Sequence, residues 1–325
     1  MENTISSKDY STHVPPPASI WHRSAAMIID MVILGIGGHV SSWLLWSVWF
    51  QLGPYGRWVG IPIVLLYFGI FNSNLGGGQT PGKRFTHIAV RGTDNRPIDW
   101  RRSLIRTTIL ATPVSLLGWS LPVFEIDVMQ WLQLSVALGL GSVLAYTFFF
   151  NQITCQAWHD LVCKTYVVHL EGHAISAFPQ SPDLRKTAGL LFVVAIAVAG
   201  LVNFSSMGAT TTAETDALTH QLKAEERFFS VIVEDRTIPS SEPPPRLLNI
   251  RVWYKGYLDT EEAQTALINS IARTALANID TGETFDIINI NVTFAYDILI
   301  AQRTVVVSEF QTVNTWRERV GQLNQ

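Results

Sequence analysis

Three ionisable residues lie inside or beside long apolar stretches of the sequence: Arg23, Asp30 and Asp160. Asp30 follows Arg23 by seven residues, a spacing that places both side chains on one face of a helix. A carboxylate within the hydrocarbon layer is costly unless it is paired or hydrated, so it usually faces the interior of a helix bundle. Asp160 and the preceding His159 follow another apolar stretch. We therefore expect Arg23, Asp30 and Asp160 to meet near the inner membrane boundary, with His159 beside them.

This candidate charge cluster has two open interpretations. In the first, Arg23 neutralises Asp30 and Asp160 and fixes the packing of the helices, because paired buried charges are common structural devices. In the second, Asp30 and Asp160 exchange a proton for a metal cation. The sequence names no particular metal ion.

A second candidate motif is a glycine-rich loop composed of Gly78, Thr80, Pro81, Gly82, Lys83 and Arg84. Together with Gly77 it matches the spacing G-x-x-x-x-G-K of a phosphate-binding loop. However, Arg84 stands where the magnesium-binding Ser or Thr belongs, and an apolar stretch precedes the loop where a strand is required. The sequence therefore argues against nucleotide hydrolysis. We expect a turn at which the chain leaves the bilayer, with Lys83 and Arg84 at the lipid headgroups.

Five long apolar stretches must position these residues. A bilayer core of about 30 Å requires roughly 20 apolar residues per helix, and the sequence predicts crossings at 25–49, 58–74, 104–124, 131–150 and 188–204. Charged residues make up only 15% of the chain, against about 25% in soluble domains. Several tryptophans lie where the stretches end, as an aromatic belt predicts. The predicted fold is a mainly α-helical polytopic membrane bundle of about five transmembrane helices with a small C-terminal α+β domain.

The basic residues orient this bundle. Most of them lie in the loops 76–103 and 151–187, whereas the connections 50–57 and 125–130 contain a single arginine. Because lysines and arginines favour the cytoplasmic side, we expect the N-terminus inside and the C-terminal domain outside. The predicted location is the plasma (inner) membrane of a bacterium. Residues 1–19, which are polar and end in a run of prolines, are predicted to be a disordered cytoplasmic segment.

The C-terminal part is predicted to be a tethered domain. Residues 205–246 are rich in Thr, Ser and Pro and read as a tether. Strands are expected over 247–258, 288–296 and 304–310 because apolar and polar residues alternate there, with a helix capped by Asp259 and Glu262 between the first two strands. The extracytoplasmic domain at 247–325 contains no catalytic constellation. The sequence therefore predicts neither an enzyme nor a cofactor.

The charge balance and helix composition suggest partners. The half 1–209 is net basic and 210–325 is net acidic, which argues against nucleic acid. The expected partners are the lipid bilayer, a monovalent cation and a proton, and either a second copy or another protein bound through 247–325. The pairs Ser135/Gly139 and Gly141/Ala145 have the spacing that permits close helix association.

Three segments in the same order resemble the RDD family of integral membrane proteins. They are residues 20–23 followed by Asp30, residues 76–84 with the sequence T-P-G-K-R, and residues 156–162 with the His159–Asp160 pair. The family is named for one arginine and two aspartates, which this resemblance assigns to Arg23, Asp30 and Asp160. It covers about 20–170 and leaves the loop 171–187, the fifth helix and the tail outside. The resemblance implies transport, and some members are linked to sodium/proton antiport.

Two functions follow as hypotheses. The favoured one is transport, most concretely cation/proton exchange through Asp30 and Asp160, with Arg23 tuning both. The alternative is a non-catalytic membrane adaptor that anchors the C-terminal domain and binds a partner complex.

Overall fold

The computed structural model describes residues 14–117, 127–173, 175–180, 185–206, 213–238, 243–278 and 285–322. The helices are α1 (Ile20–Leu44), α2 (Trp46–Leu52), α3 (Arg57–Phe71), α4 (Pro81–Phe85), α5 (Trp100–Leu116), α6 (Asp127–Phe150), α7 (Trp158–Val162), α8 (Arg185–Ser206), α9 (Ala213–Lys223), α10 (Glu261–Asn278) and α11 (Val313–Gln322). The strands are β1 (Ile88–Gly92), β2 (Thr165–His169), β3 (Phe228–Thr237), β4 (Arg246–Tyr254), β5 (Ile287–Asp297) and β6 (Gln302–Thr312).

The chain forms two compact units. The first draws on Met1–Ile36, Ile61–Gly118 and Gln130–Gly200, and the second on Gly37–Gly60, Trp119–Met129 and Leu201–Gln325. Within the described residues, three helical stretches are long and apolar enough to cross a membrane: Ile20–Leu44, Trp46–Phe71 and Trp131–Phe150.

The remaining two predicted crossings differ from expectation. The stretch 104–124 corresponds to α5, which ends at Leu116 and carries arginines in its first turns, so it is less apolar than α1, α3 and α6. Residues 118–126 lie outside the described part. The stretch 188–204 lies within α8, whose apolar portion, Lys186–Leu201, is shorter than a full span. The first crossing was expected to reach residue 49, but α1 ends at Leu44 and a new helix begins at Trp46.

A two-stranded sheet lies at one end of the first unit. Strand β1 pairs with β2 in an antiparallel register from Ile88↔His169 to Gly92↔Thr165. Strand β1 therefore pairs with a distant segment of the chain and not within a local hairpin. Ile88, Ala89 and Val90 are all buried, and consecutive strand residues point to opposite faces. A strand that is buried on both faces requires partners from distant parts of the chain.

The segment before α1 is ordered from residue 14 onwards. The Ala18 amide donates to Val167 O at 2.8 Å and the His169 amide donates to Pro16 O at 2.9 Å. Residues 14–18 thus lie along strand β2, which corrects the expectation that 1–19 is disordered; residues 1–13 lie outside the described residues.

Small residues of α6 pack within the chain. A Cβ on Gly139 would lie 2.4 Å from the ring of Phe192 in α8, and one on Gly141 would lie 3.5 Å from Pro113 in α5. The close helix approach predicted from this spacing is therefore used inside one copy, and it supplies no argument for an oligomer.

The second unit contains a four-stranded sheet in the order β3-β4-β5-β6. Strands β4 and β5 are parallel and are connected through α10, whereas the other pairs are antiparallel. One sheet face contributes Ile250, Ile290 and Phe294 to a core that also contains Leu222 of α9 and Trp316 of α11. The tail is thus an α+β domain, as the alternating pattern predicted.

The predicted tether at 205–246 is largely part of this domain. Helix α9 buries Leu218 and Leu222 in the core, and β3 pairs with β4 from Phe228 to Thr237. The tether was predicted from runs of threonine, serine and proline. The apolar residues of 228–233 lie between these runs and form β3. Residues 207–212 and 239–242 lie outside the described part. The cap of α10 also differs: the Ala263 amide donates to Thr260 Oγ1 at 3.2 Å, and Asp259 lies before it.

The β5–β6 turn packs against the segment that connects the first two apolar helices. The Arg57 guanidinium donates to Asp297 Oδ2 at 2.6 and 2.9 Å. A Cβ on Gly60 would lie 1.8 Å from Ile298 O, and one on Gly38 would lie 2.4 Å from Ile300 O. These glycines therefore permit close backbone contact within the second unit.

Candidate functional site

Asp160 lies at the centre of a buried group of ion pairs. Arg23 Nη2 donates to Asp160 Oδ2 at 2.7 Å. Arg106 donates to Oδ1 through Nε at 2.8 Å and through Nη2 at 2.7 Å. All three side chains are at least nine-tenths buried. Helices α1, α5 and α7 therefore meet at a single carboxylate.

Two neutral donors complete the surroundings of this carboxylate. The Ala157 amide donates to Asp160 Oδ2 at 3.2 Å, and Thr165 Oγ1 donates to Oδ1 at 3.1 Å. The first bond caps α7 and the second joins β2 to the cluster. Because both oxygens accept several hydrogen bonds from fixed donors, Asp160 is held as a carboxylate in one orientation.

Electrostatics keep Asp160 charged and His159 neutral. Burial alone would raise the pKa of the Asp160 carboxyl, but the charges of Arg106 and Arg23 outweigh burial and hold that pKa well below its ordinary value. Burial, with a smaller effect of the same arginines, lowers the pKa of His159 to about 3. His159 Nε2 lies 3.5 Å from Asp160 Oδ1, and its Nδ1 has no partner among the described residues.

Asp30 occupies a different environment. Tyr67 OH donates to its Oδ1 at 2.8 Å, Thr80 Oγ1 donates to Oδ2 at 2.5 Å, and the Gly82 amide donates to Oδ1 at 2.9 Å. The side chain is 1% exposed. All three donors are neutral groups, and Asp30 forms no ion pair within the part of the chain that the structure describes.

The glycine-rich loop is built around Asp30. Thr80 caps helix α4 by accepting from the Lys83 amide at 3.2 Å while it donates to the carboxylate. A Cβ on Gly82 would lie 2.1 Å from Ala26 O and 2.9 Å from Asp30 Oδ1. Only glycine allows the loop to approach α1 so closely. The loop thus packs against α1. The sequence of the loop did not predict this contact.

The predicted meeting of Arg23, Asp30 and Asp160 is realised only for Arg23 and Asp160. Arg23 and Asp30 share the first helix, but Arg23 directs its guanidinium to Asp160, while the oxygens of Asp30 are taken up by Tyr67, Thr80 and Gly82. The expectation that Arg23 neutralises both carboxylates was therefore wrong.

Lys83 also departs from expectation. Its side chain is partly buried, and its ammonium group donates to Asn72 Oδ1. Burial and the charge of Arg106 lower the pKa of Lys83 to about 7, although Asp30 and Asp160 act in the opposite direction. Lys83 therefore points into the protein, whereas the neighbouring Arg84 is exposed, as a residue at the headgroups would be.

Three functional neighbours were missed in the sequence: Arg106, Tyr67 and Thr165. Arg106 carried a signal, because an arginine in the second turn of an apolar helix needs a counter-ion. Tyr67 and Thr165 carried none, since an aromatic residue in a span and a threonine in a strand are ordinary. Among the described residues, no group of three His, Cys, Asp or Glu side chains could hold a metal ion.

Comparison with known families identifies the first part of the chain. The model of the RDD family matches residues 17–164. This segment is an RDD family domain. The match confirms the resemblance that the sequence showed over about 20–170. No curated protein and no solved structure matches the chain.

The two aspartates assigned by the resemblance have unequal surroundings in this RDD domain. Asp160 is enclosed by two arginines, whereas Asp30 is enclosed by hydroxyl and amide groups. The C-terminal sheet domain lies outside the matched residues. The chain therefore joins a membrane segment that matches the RDD family to an additional α+β domain.

Proposed function

We propose that this RDD membrane protein exchanges a monovalent cation for a proton, and that Asp30 is the carboxylate at which they exchange. The observation that carries this proposal is that the described hydrogen bonds to the Asp30 carboxylate all come from neutral groups. A buried carboxylate without a cationic side chain bound to it can be neutralised by either a proton or a metal cation. Intramembrane carboxylates with this property are typical of proton and ion pathways.

The donors around Asp30 suit both states of such a cycle. A hydroxyl group both donates and accepts, so Tyr67 and Thr80 can donate to the carboxylate or turn their oxygens toward a bound cation. Carboxylate and hydroxyl oxygens are hard ligands that suit alkali cations as well as protons. The Gly82 amide, in contrast, has a fixed direction and keeps the carboxylate in place.

Asp160 has a positioning role in this proposal. Two arginines hold its pKa well below the ordinary value, so it remains ionised at any physiological pH and is a poor proton carrier. Its bonds fix α1 relative to α5 and α7. This assignment replaces the hypothesis in which both aspartates exchange ions.

Strand pairing supports five membrane crossings. Strands β1 and β2 pair directly, so they lie on the same side of the membrane, and an even number of crossings must separate them. Helices α5 and α6 are the helices of sufficient length between them. Helix α6 has the composition of a span. A second crossing is therefore needed between β1 and β2, and α5 supplies it despite its arginines.

The same reasoning supports a crossing by α8. The tail contacts the segment 46–60, so both lie on one side. An even number of crossings must therefore separate segment 46–60 from the tail. Helices α3, α5 and α6 contribute three, so α8 supplies the fourth. With the basic loops inside, the proposed topology has the N-terminus in the cytoplasm of a bacterial cell and the tail on the outer side of its inner membrane.

The test of exchange is flux in proteoliposomes that contain the purified protein. An imposed pH gradient should dissipate when Na⁺, K⁺ or Li⁺ is added, and Asp30→Asn should reduce the cation-dependent rate by about tenfold or more, because an amide cannot bind the proton or the cation. Asp94→Asn is the matched control. It makes the same chemical change at an exposed carboxylate and should leave the rate unchanged.

The folding of each variant is followed by thermal unfolding in detergent. Equal flux for wild type and a well-folded Asp30→Asn would overturn the assignment of Asp30. Absence of flux from correctly inserted wild-type protein with every cation would overturn transport itself.

The adaptor hypothesis is the second candidate, and the uncovered face of the tail sheet favours it. Strand β6 exposes Val306 and Phe310, and β3 exposes Ile232. Their registers place all three on the face opposite to the core. Exposed apolar residues on one face are typical of a docking surface. Absence of flux would make this the leading function.

A further inference from the structure

We propose that the turn at residues 75–78 and the side chains of Arg84, Phe85 and Arg91 form a binding site for the phosphate group of an anionic phospholipid. This headgroup site is independent of cation exchange at Asp30. It uses side chains that neither Asp30 nor Asp160 contacts.

Two guanidinium groups are held at neighbouring positions of one turn. Arg84 Nη2 donates to Gly76 O at 3.4 Å, and Arg91 Nη1 donates to Gly77 O at 3.5 Å. Consecutive carbonyl groups thus anchor arginines from different elements, α4 and β1. The remaining N–H groups of both guanidiniums are available to an external acceptor, and a planar guanidinium matches two phosphate oxygens.

The positive charge at this turn has no carboxylate counter-ion among the described residues. Neither Arg84 nor Arg91 forms an ion pair with a described residue. Burial lowers the pKa of Arg91, because its charge is partly removed from water. No carboxylate among the described residues offsets this desolvation cost. An anion between the two guanidinium groups would supply the missing counter-ion and offset the desolvation of Arg91.

The turn itself leaves room for this anion. Gly77 and Gly78 have φ values of +71° and +80°, a backbone conformation that favours glycine. A Cβ on Gly77 would meet no atom within 4 Å. The space beside the Cα atom of Gly77 is therefore open to a ligand.

Apolar side chains beside the arginines favour a lipid over a free anion. Leu75 is 68% exposed and Phe85 is 76% exposed, although both flank the charged turn directly in sequence. Large apolar side chains next to arginines are expected at the boundary between headgroups and acyl chains. A soluble phosphate would gain nothing from Leu75 and Phe85, whereas a phospholipid would cover them.

The test is lipid binding to the full-length protein in a non-ionic detergent, measured by native mass spectrometry. Phosphatidylglycerol should bind about 25-fold more tightly to wild type than to the variant Arg84→Gln/Arg91→Gln, since each arginine near an anionic surface contributes roughly fivefold. Phosphatidylcholine should show no such difference. Phe85→Ala should weaken phosphatidylglycerol binding without lowering the temperature of unfolding.

The matched control is Arg96→Gln/Arg101→Gln, which removes the same charge from exposed arginines of the same loop. It should retain wild-type binding. An equal loss in both double variants would overturn the site in favour of general attraction by a basic loop. Displacement of the lipid by millimolar inorganic phosphate would show that the site takes a free anion and would overturn the lipid assignment. If the double variant unfolds, Arg84→Gln alone serves, because Arg84 is exposed and makes a single long hydrogen bond.

Discussion

Asp30 and Asp160 show how neighbouring groups decide the chemistry of a buried carboxylate. Both side chains are almost fully buried, so burial does not distinguish them. Asp160 receives charged donors from two helices, whereas Asp30 receives hydroxyl and amide donors. Charged donors stabilise the ionised form strongly, while neutral donors can serve a carboxylate or a carboxylic acid. These different donors are the basis for the structural role proposed for Asp160 and the exchange role proposed for Asp30.

The structural role of Asp160 gives a prediction for Asp160→Asn. The amide would leave Arg23 and Arg106 buried without a counter-ion, and breaking a buried pair in this way costs roughly 3–5 kcal/mol. We expect a large fall in the temperature of unfolding, measured in detergent at neutral pH. Asp94→Asn is the control, since Asp94 is exposed and its replacement should change the free energy of unfolding by less than about 1 kcal/mol. Equal stability of Asp160→Asn and wild type would refute the structural role.

The pH dependence of this contribution has a definite sign. The pKa of Asp160 is lower in the folded protein than in the unfolded chain, so its stabilisation is fully present above the unfolded value. It is lost as pH falls through the folded value. Between pH 5 and 8, about the range in which proteins are usually most stable, the stability difference between wild type and Asp160→Asn should therefore stay constant.

At the residue scale, the sequence predicted that Arg23, Asp30 and Asp160 need partners, and it predicted the pair of Arg23 and Asp160 but not the partners of Asp30. Burial cost and helix spacing indicated which residues need partners. They could not indicate that Arg106 supplies the second charge, or that Tyr67 and Thr80 take the oxygens of Asp30. Those choices depend on how the loop and helices pack, which a linear pattern does not contain.

At the element scale, local patterns predicted most helices and strands but failed where pairing is distant. The alternation in 247–312 correctly predicted three strands of the tail sheet. The pairing of β1 could not be predicted locally, because its partner β2 follows only after α5, α6 and α7. Strand β3 was missed because threonine, serine and proline runs surround it. Of the five spans predicted from hydrophobic length, three meet the length and composition of a span within the described residues, whereas α5 carries arginines and the apolar part of α8 is short.

The inclusion of α9 in the tail core can be tested by Leu222→Ala. Leu222 is fully buried in the core of the sheet domain, and replacement of a buried leucine by alanine costs roughly 2–5 kcal/mol. Hydrogen exchange of the amides in β3 and β4 should accelerate accordingly. Gln221→Ala changes the exposed neighbour on the same helix and should leave exchange unchanged. Unaltered protection in Leu222→Ala would mean that this segment is a tether after all.

At the scale of the whole molecule, the tail is an integrated part of its compact unit. Trp49 and Phe50, which precede the second apolar helix, belong to the same core as the sheet and its helices. Phe50 packs edge-on against Tyr296 at 5.0 Å between ring centroids. A domain that shares its core with a connecting segment is positioned by that segment. This arrangement differs from the freely tethered domain that the sequence suggested.

The ion pair between Arg57 and Asp297 provides a test of this integration. Asp297 accepts from Arg57 and from the Leu299 amide, which lies 2.8 Å from its Oδ1. Asp297→Asn should therefore loosen the β5–β6 turn as well as leave Arg57 without its carboxylate. Because Asp297 keeps a fifth of its side chain exposed, we expect a cost near the lower end of roughly 3–5 kcal/mol.

Hydrogen exchange of residues 297–301 in the full-length protein measures this loosening directly. Exchange should accelerate in Asp297→Asn and stay at the wild-type rate in Asp259→Asn, where an exposed carboxylate of the same domain is changed. Since the pair is largely buried, raising the salt concentration should affect the wild-type rate only weakly, as screening acts mainly on exposed charges. The integration would be refuted if Asp297→Asn left exchange in the turn unchanged, or if salt alone produced the same acceleration. The ion pair would then be a surface contact, and the backbone contacts at Gly38 and Gly60 alone would hold the turn.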